Sequence, residues 1–152
     1  MKCGYFNTKI GMIKISYDEE IKKIELVEKA LGENTEDELF TFFKEQILEF
    51  LEGKRKFFER LDFLAISGTD FEVKVFKALL KIPYGKTISY KDLAQMAGSP
   101  RAYRAVGTAV GKNPILIIIP CHRVVKSDGS LGGFAYGSDV KRKLLEIEGN
   151  IF

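Results

Sequence analysis

Five aliphatic residues, Ile115-Leu116-Ile117-Ile118-Ile119, stand between Pro114 and Pro120 and run straight into Cys121-His122. A β-branched run of that length, closed on each side by a residue that cannot continue a hydrogen-bonded ladder, predicts a short buried strand. It is the longest unbroken apolar run in the chain and far too short to span a bilayer, so no membrane segment is expected. A buried strand needs a core around it. The chain can supply one: of its 152 residues 45% are apolar and 12% aromatic, with 4 prolines, which excludes disordered and fibrous classes and fits one domain or two small lobes. The first twenty residues hold no apolar stretch of signal-peptide type. Two cysteines, Cys3 and Cys121, with a single histidine exclude a disulfide framework and a four-ligand zinc site of nitrogen and sulfur donors. The expectation is a protein of the reducing cytoplasm with no structural metal and no cofactor.

The halves differ in character. Ile10–Ser16 and Ile21–Val27 alternate around the polar Tyr17-Asp18-Glu19-Glu20 and predict a hairpin. Thr35 with Glu38 reads as a capping box opening a helix, with Leu39, Phe40, Phe43, Ile47, Phe50 and Leu51 inward until Gly53. A second box, Thr69 with Glu72, opens another helix that Ile82-Pro83-Tyr84-Gly85 ends. The boundary between two lobes, residues 1–66 and 67–152, is expected between Arg60 and Thr69. Beyond it, small, glycine and basic residues replace the phenylalanine-rich pattern. Residues 1–84 carry 14 Lys+Arg against 16 Asp+Glu, whereas residues 85–152 carry 10 against 5. The basic excess of the second half suits a polyanionic partner, and equally an ordinary solvated surface.

In that half Ser89 with Asp92 caps a short helix that Ala97-Gly98 breaks, and Ser99 with Pro100 opens a second, a helix-turn-helix pattern. Arg101, Arg104, Thr108 and Lys112 share one face of the second helix, while Ala102, Ala105, Gly107, Ala109 and Gly111 keep it slim. Such a helix either packs tightly in a core or approaches DNA closely. Proline ahead of Cys121 favours a tight turn or first helical turn, and free N–H groups there, with His122 and Arg123, predict a thiol pKa shifted down. The alternative is a cysteine serving as a small buried hydrophobe. Ser127-Asp128-Gly129-Ser130 is a polar turn, and Gly132, Gly133 and Gly137 make a loop that either connects or walls a pocket. Ser138-Asp139 caps a last helix with Leu144, Leu145 and Ile147 inward. Glu148, an acid at its C-terminus, asks for a compensating partner, and imidazole is one candidate.

The stretch Ile118-Ile119-Pro120-Cys121-His122-Arg123-Val124-Val125 resembles the active-site signature of the O6-alkylguanine-DNA alkyltransferases. Ile88-Ser89-Tyr90, Arg104-Ala105-Val106-Gly107, Asn113-Pro114, Gly132-Gly133-Phe134 and Leu144-Leu145-Glu146-Ile147-Glu148-Gly149 follow in that family's order and spacing, from about Phe71 to the end. The resemblance implies an α/β (α+β) protein, with an N-terminal ribonuclease-H-like lobe holding a small antiparallel sheet and a C-terminal helix-turn-helix lobe of winged-helix type. It implies a monomer that repairs double-stranded DNA containing O6-alkylguanine. The alkyl or methyl group would pass irreversibly to Cys121, once per molecule, after minor-groove docking and base flipping. On the same basis His122 takes the thiol proton through a water and Glu148 holds the imidazole. Tyr90 crowds the target phosphate and donates to the base. Arg104 fills the space of the extruded nucleotide, Asn113 ties the recognition helix to the active-site turn, and Lys141 lies near the pocket. The main chain at Cys121 and Val124 would accept from the guanine amino group, with Arg101 and Thr108 beside Arg104 on the DNA face. Ala135 stands where many members carry a serine that binds O6, and the zinc ligands of some relatives are missing. A helix-turn-helix DNA binder with a structural Cys121, and a thiol hydrolase using Cys121 and His122, are the rival classes.

Overall fold

In the computed structural model, which describes residues 1–152, the chain divides into two units, Met1–Ala65 with Pro114–Leu116 and Ile66–Asn113 with Ile117–Phe152. No helix is long and apolar enough to cross a membrane.

The first unit is an antiparallel sheet in the order β1 (Lys2–Thr8), β2 (Gly11–Tyr17), β3 (Ile21–Val27), packed with α1 (Glu38–Leu51). The predicted hairpin is β2–β3, with Ile13 opposite Leu26 and Ile15 opposite Ile24. β1 gave no clean alternation, because only Gly4, Tyr5 and Phe6 are buried in it. Gly4 is there for space: a Cβ would collide with the ring of Phe40. α1 buries Phe40, Phe43, Gln46, Ile47, Phe50 and Leu51, and Gln46 exchanges two hydrogen bonds with the Glu59 main chain. The expected cap at Thr35 is overturned. Its N–H donates to Cys3 O at 2.9 Å, extending the edge of β1, and Asp37 caps α1 by accepting from Phe40 N at 3.1 Å. The Tyr17 hydroxyl and Lys2 ammonium hold that carboxylate at 2.8 and 2.9 Å.

The predicted strand Ile115–Ile119 is buried throughout but is not a strand. Ile115 makes one parallel bridge to Ile24, closed by Ile24 N to Pro114 O at 2.9 Å and Leu116 N to Ile24 O at 3.0 Å. The backbone then turns away, because Ile117 sits at φ 72°, a left-handed conformation that β-branched residues rarely adopt.

The second unit holds α2 (Asp70–Leu79), β4 (Ile88–Ser89), α3 (Tyr90–Met96), α4 (Tyr103–Val110), β5 (Val124–Val125) and α5 (Ser138–Ile147). Thr69 and Glu72 form the predicted reciprocal capping box of α2. Ser89 caps α3 as expected, accepting from Asp92 N at 3.1 Å. The start of the next helix is not where Ser99-Pro100 suggests. α3 ends in a Schellman motif, Gly98 at φ 79° and Ser99 N donating to Ala94 O at 2.9 Å, while α4 begins only after Ala102, its N-cap residue, with no side-chain cap. Residues 99–102 form a turn closed by Ala102 N to Ser99 O at 2.9 Å. α5 likewise starts at Ser138 after Gly137, without a side-chain cap, its first-turn acid Asp139 lying 3.6 Å from Arg142.

Candidate active site

Pro120, at φ −82° and ψ 63°, is the centre of an inverse γ-turn, with Cys121 N donating to Ile119 O at 2.8 Å. One 3-10 turn, Cys121–Arg123, follows and leads into β5. Asn113, just beyond α4, donates from Nδ2 to the same Ile119 oxygen at 2.7 Å, and its side chain also hydrogen-bonds the Cys121 thiol. The thiol is buried, and burial pushes its pKa up; the Asn113 hydrogen bond and the charge of Lys141 offset this only partly. That overturns the expected downward shift. A turn of three residues carries little dipole, and the neighbouring cation, Arg123, is committed elsewhere.

It is committed to Glu148. Arg123 donates through Nε to Oε1 at 2.9 Å and through Nη2 to Oε2 at 2.9 Å, and its Nη1 donates to Ile82 O at 2.7 Å. His122 Nε2 lies 2.7 Å from Glu148 Oε2, and Gly85 N donates to Oε1 at 3.0 Å. Burial alone would raise the Glu148 pKa, but the hydrogen bonds from His122 and Arg123 outweigh it and hold the group at about 2. Burial lowers the His122 pKa more than Glu148 raises it. The imidazole is therefore neutral at neutral pH, its Nε2–H donates to an ionised carboxylate, and Nδ1 is the ring atom left to exchange a proton. α5 delivers Glu148 by ending there: Gly149, at φ 93°, closes a Schellman motif through Asn150 N to Leu145 O at 2.9 Å.

Parallel pairing of Ile88 with Val124 and Ser89 with Val125 sets Tyr90, the first residue of α3, beside the turn. A Cβ added at Gly107 would lie 3.7 Å from the Tyr90 ring, and one at Gly132 would lie 3.5 Å from its hydroxyl, so two glycines flank the phenol. Burial and the Cys121 charge raise its pKa, keeping it protonated. Lys141 is fully buried on α5 and donates to Val124 O at 2.6 Å and Gly133 O at 3.1 Å.

Cys121, His122, Glu148, Asn113, Tyr90, Val124 and Lys141 thus come together. Arg104 and Thr108 lie on the exposed face of α4, opposite buried Val106, Ala109 and Val110. Arg101 is exposed but precedes the helix, and Lys112 follows it and pairs with Glu72 at 3.5 Å, so the expected basic stripe is shorter than its spacing suggested. Ala135 is exposed in the 132–137 loop. The sequence reading missed Arg123 as the fork on Glu148, together with the Ile82–Gly85 turn that completes the cage. The only signal was the anion at a helix C-terminus, which one neutral imidazole could not balance.

The family model described as the 6-O-methylguanine DNA methyltransferase DNA-binding domain matches residues 70–150. The methylated-DNA--protein-cysteine methyltransferase of Methanosarcina barkeri is 53% identical over 72% of this chain and 70% of its own length. That of Methanosarcina acetivorans is 41% identical over 99% of both. The crystal structure of Mycobacterium tuberculosis OGT in complex with DNA superposes with a TM-score of 0.88 at 37% identity, over 97% of this chain and 92% of that one.

Proposed function

The chain belongs to the 6-O-methylguanine DNA methyltransferase family, and from that premise we infer that it repairs alkylated DNA by moving an alkyl group from guanine O6 onto the sulfur of Cys121. The observation that carries this reading is a buried thiol in a turn pinned by Asn113, next to an imidazole whose Nε2 is fixed by a caged carboxylate. That is a nucleophile, a base and an orienter. Because the resting sulfur is a thiol, attack needs the base. The thiol proton passes toward Nδ1 of His122 through a water, and the sulfur displaces guanine O6 in line at the alkyl carbon. The S–C bond forms as the C–O bond breaks, and its electron pair goes onto the purine. The Tyr90 hydroxyl donates a proton to the leaving base, and the proton held at His122 replaces it. Net, the thiol proton ends on guanine.

The product is a thioether with no acyl carbon for water to attack, so each molecule acts once. The alkylated oxygen faces its pairing partner inside the duplex, so the base must leave the stack. Exposed Arg104, which makes no ion pair, fills the vacated space, and the slim face of α4 docks in the minor groove with Arg101 and Thr108 toward phosphates. The main-chain oxygens of Cys121 and Val124 accept from the guanine amino group. With Ala135 in place of a serine, the O6 contact falls to the main chain of the 132–137 loop. In this reading residues 1–66 are a ribonuclease-H-like lobe and residues 67–152 a winged-helix-like one. The protein acts as a monomer in a reducing cytoplasm, where both its thiols stay free.

Incubation with O6-benzylguanine followed by intact-protein mass tests the transfer. One stable benzyl adduct, absent from Cys121→Ser, is expected. Repeated turnover, or an unmodified Cys121, would sink it.

A further inference from the structure

Behind the base, one short turn grips both members of a buried ion pair. The Ile82–Gly85 turn lies between α2 and β4. Its Ile82 oxygen accepts from Arg123 Nη1 at 2.7 Å, its Gly85 N–H donates to Glu148 Oε1 at 3.0 Å, and the Tyr84 ring lies over the Arg123 guanidinium, 5.7 Å from centroid to Cζ. The Tyr84 hydroxyl donates to Ile147 O, one residue before Glu148, at 3.2 Å. Gly85 makes the close approach possible: it sits at φ 80°, and a Cβ there would press to 3.4 Å on Glu148 O.

Glu148 carries one negative charge and has two claimants. Oε2 accepts at once from His122 Nε2 at 2.7 Å and Arg123 Nη2 at 2.9 Å, while Arg123 Nε and Gly85 N hold Oε1. Arginine does not give up its proton, so the share that Arg123 takes is withheld from the imidazole. A carboxylate given wholly to His122 would make the ring a stronger base that keeps its proton. A group that must take a thiol proton and then release it works best with a pKa close to the ambient pH. The charged and titratable groups around His122 are Arg123 and Cys121 in its own turn, Glu148 and Lys141 from α5, Tyr84 from the 82–85 turn and Tyr90 at the start of α3.

We propose that Tyr84 is a positioning residue for the base: with its ring on Arg123 and its hydroxyl tied to the end of α5, it keeps the guanidinium seated on Glu148 and so limits how much of that carboxylate's charge reaches His122. An aromatic face does this without consuming the N–H donors that the carboxylate and Ile82 O require. Burial lowers the His122 pKa, Glu148 pulls it back up, and Arg123 lowers it again. Once Arg123 leaves its seat, the upward pull is unopposed by its nearest rival.

This role rests on the transfer reading, and its test reads the ring apart from the reaction. The chain has a single histidine, so the imidazole signals of an NMR titration belong to His122. The titration is followed from acid to alkaline pH in the parent, Tyr84→Leu, Tyr84→Phe and Arg123→Met, with the single-turnover rate on O6-benzylguanine over the same range. Because a charge within a few ångströms typically moves a pKa by about 1–3 units, Arg123→Met should raise His122 by about one unit or more and Tyr84→Leu by about half a unit. Tyr84→Phe, which keeps the ring, should recover most of that shift. The acid limb of the rate should move with the ring, about threefold slower below the inflection in Tyr84→Leu and unchanged above it. Should Arg123→Met fail to melt cooperatively, the comparison of Leu with Phe decides by itself. A His122 titration in Tyr84→Leu that coincides with the parent's or moves down, with any rate loss uniform in pH, overturns the role of Tyr84. An upward shift in Tyr84→Leu with no benzyl adduct in the parent keeps the positioning role and overturns the transfer reading.

Discussion

Around β1–β3 and α1 the interior is Ile13, Ile15, Ile24, Phe40, Phe43, Ile47 and Phe50, and its buried polar side chains are the uncharged Ser16 and Gln46. Around Cys121 the interior holds His122, Arg123, Lys141 and Glu148. One region has the composition of a scaffold, where burial is favourable atom by atom. The other keeps charge out of water, which lowers stability unless each group is met by partners. On the proposed reading, the contrast teaches where the transfer chemistry resides in a chain of this size: in the unit that tolerates an unfavourable interior, among groups caged by main-chain donors and acceptors such as Gly85 N, Ile82 O and Val124 O.

The contrast breaks most readily at Glu148. Glu148→Gln leaves Arg123 without its anion and should cost roughly 3–5 kcal/mol in urea unfolding, while lowering the single-turnover rate by about a hundredfold or more. The wild-type carboxyl is held at about 2, below its unfolded value. Its contribution, on the order of 3 kcal/mol, is complete above about pH 4.5 and is lost as the pH falls toward 2. The Gln variant should lack that acid-dependent loss, and an identical slope of stability against pH in both proteins would remove the caged carboxylate from the account. Phe43→Ala, in the other region, should cost a similar 3–5 kcal/mol by leaving a cavity, with the transfer rate per folded molecule unchanged. A rate that falls with stability would mean that the first unit is more than support.

Two smaller effects sharpen the contrast. Arg104→Ala should slow repair of duplex DNA by about a hundredfold, roughly 2.7 kcal/mol, while reaction with the free base changes by less than about threefold. Equal losses would take the arginine out of the stack. Thr69→Ala removes half of the α2 capping box and should cost about 1 kcal/mol in thermal unfolding, with no change in either reaction; a rate effect would tie α2 to the chemistry.

What was legible in the sequence followed from how local each feature is. The Thr69–Glu72 box and the Ser89 cap are settled within four residues, and both stand as read. The Thr35–Glu38 and Ser99–Pro100 signatures fail: Thr35 N goes to Cys3 O while Asp37 caps α1, and Ser99 N closes α3 while α4 begins only after Ala102. Composition marked Ile115–Ile119 as buried, correctly, but has no way to register a positive φ at Ile117. At the site, the residue types and their order carried the family resemblance, and the anion at the end of α5 advertised its need for a partner. The direction of the Cys121 shift was misjudged because desolvation depends on what closes over the sulfur, and Arg123 was counted toward the thiol when its fork belongs to Glu148.

Ile117 leaves one corner of the backbone wound against its preference, at a penalty on the order of 1–3 kcal/mol, four residues ahead of the sulfur. Glycine would relax that corner, yet it would empty a buried aliphatic position worth more than the relief. The bend is thus a loaded spring kept shut by the side chains around it. Loosening the packing around Ile117 therefore releases strain at the same moment as it exposes apolar surface, and the two effects on stability oppose each other.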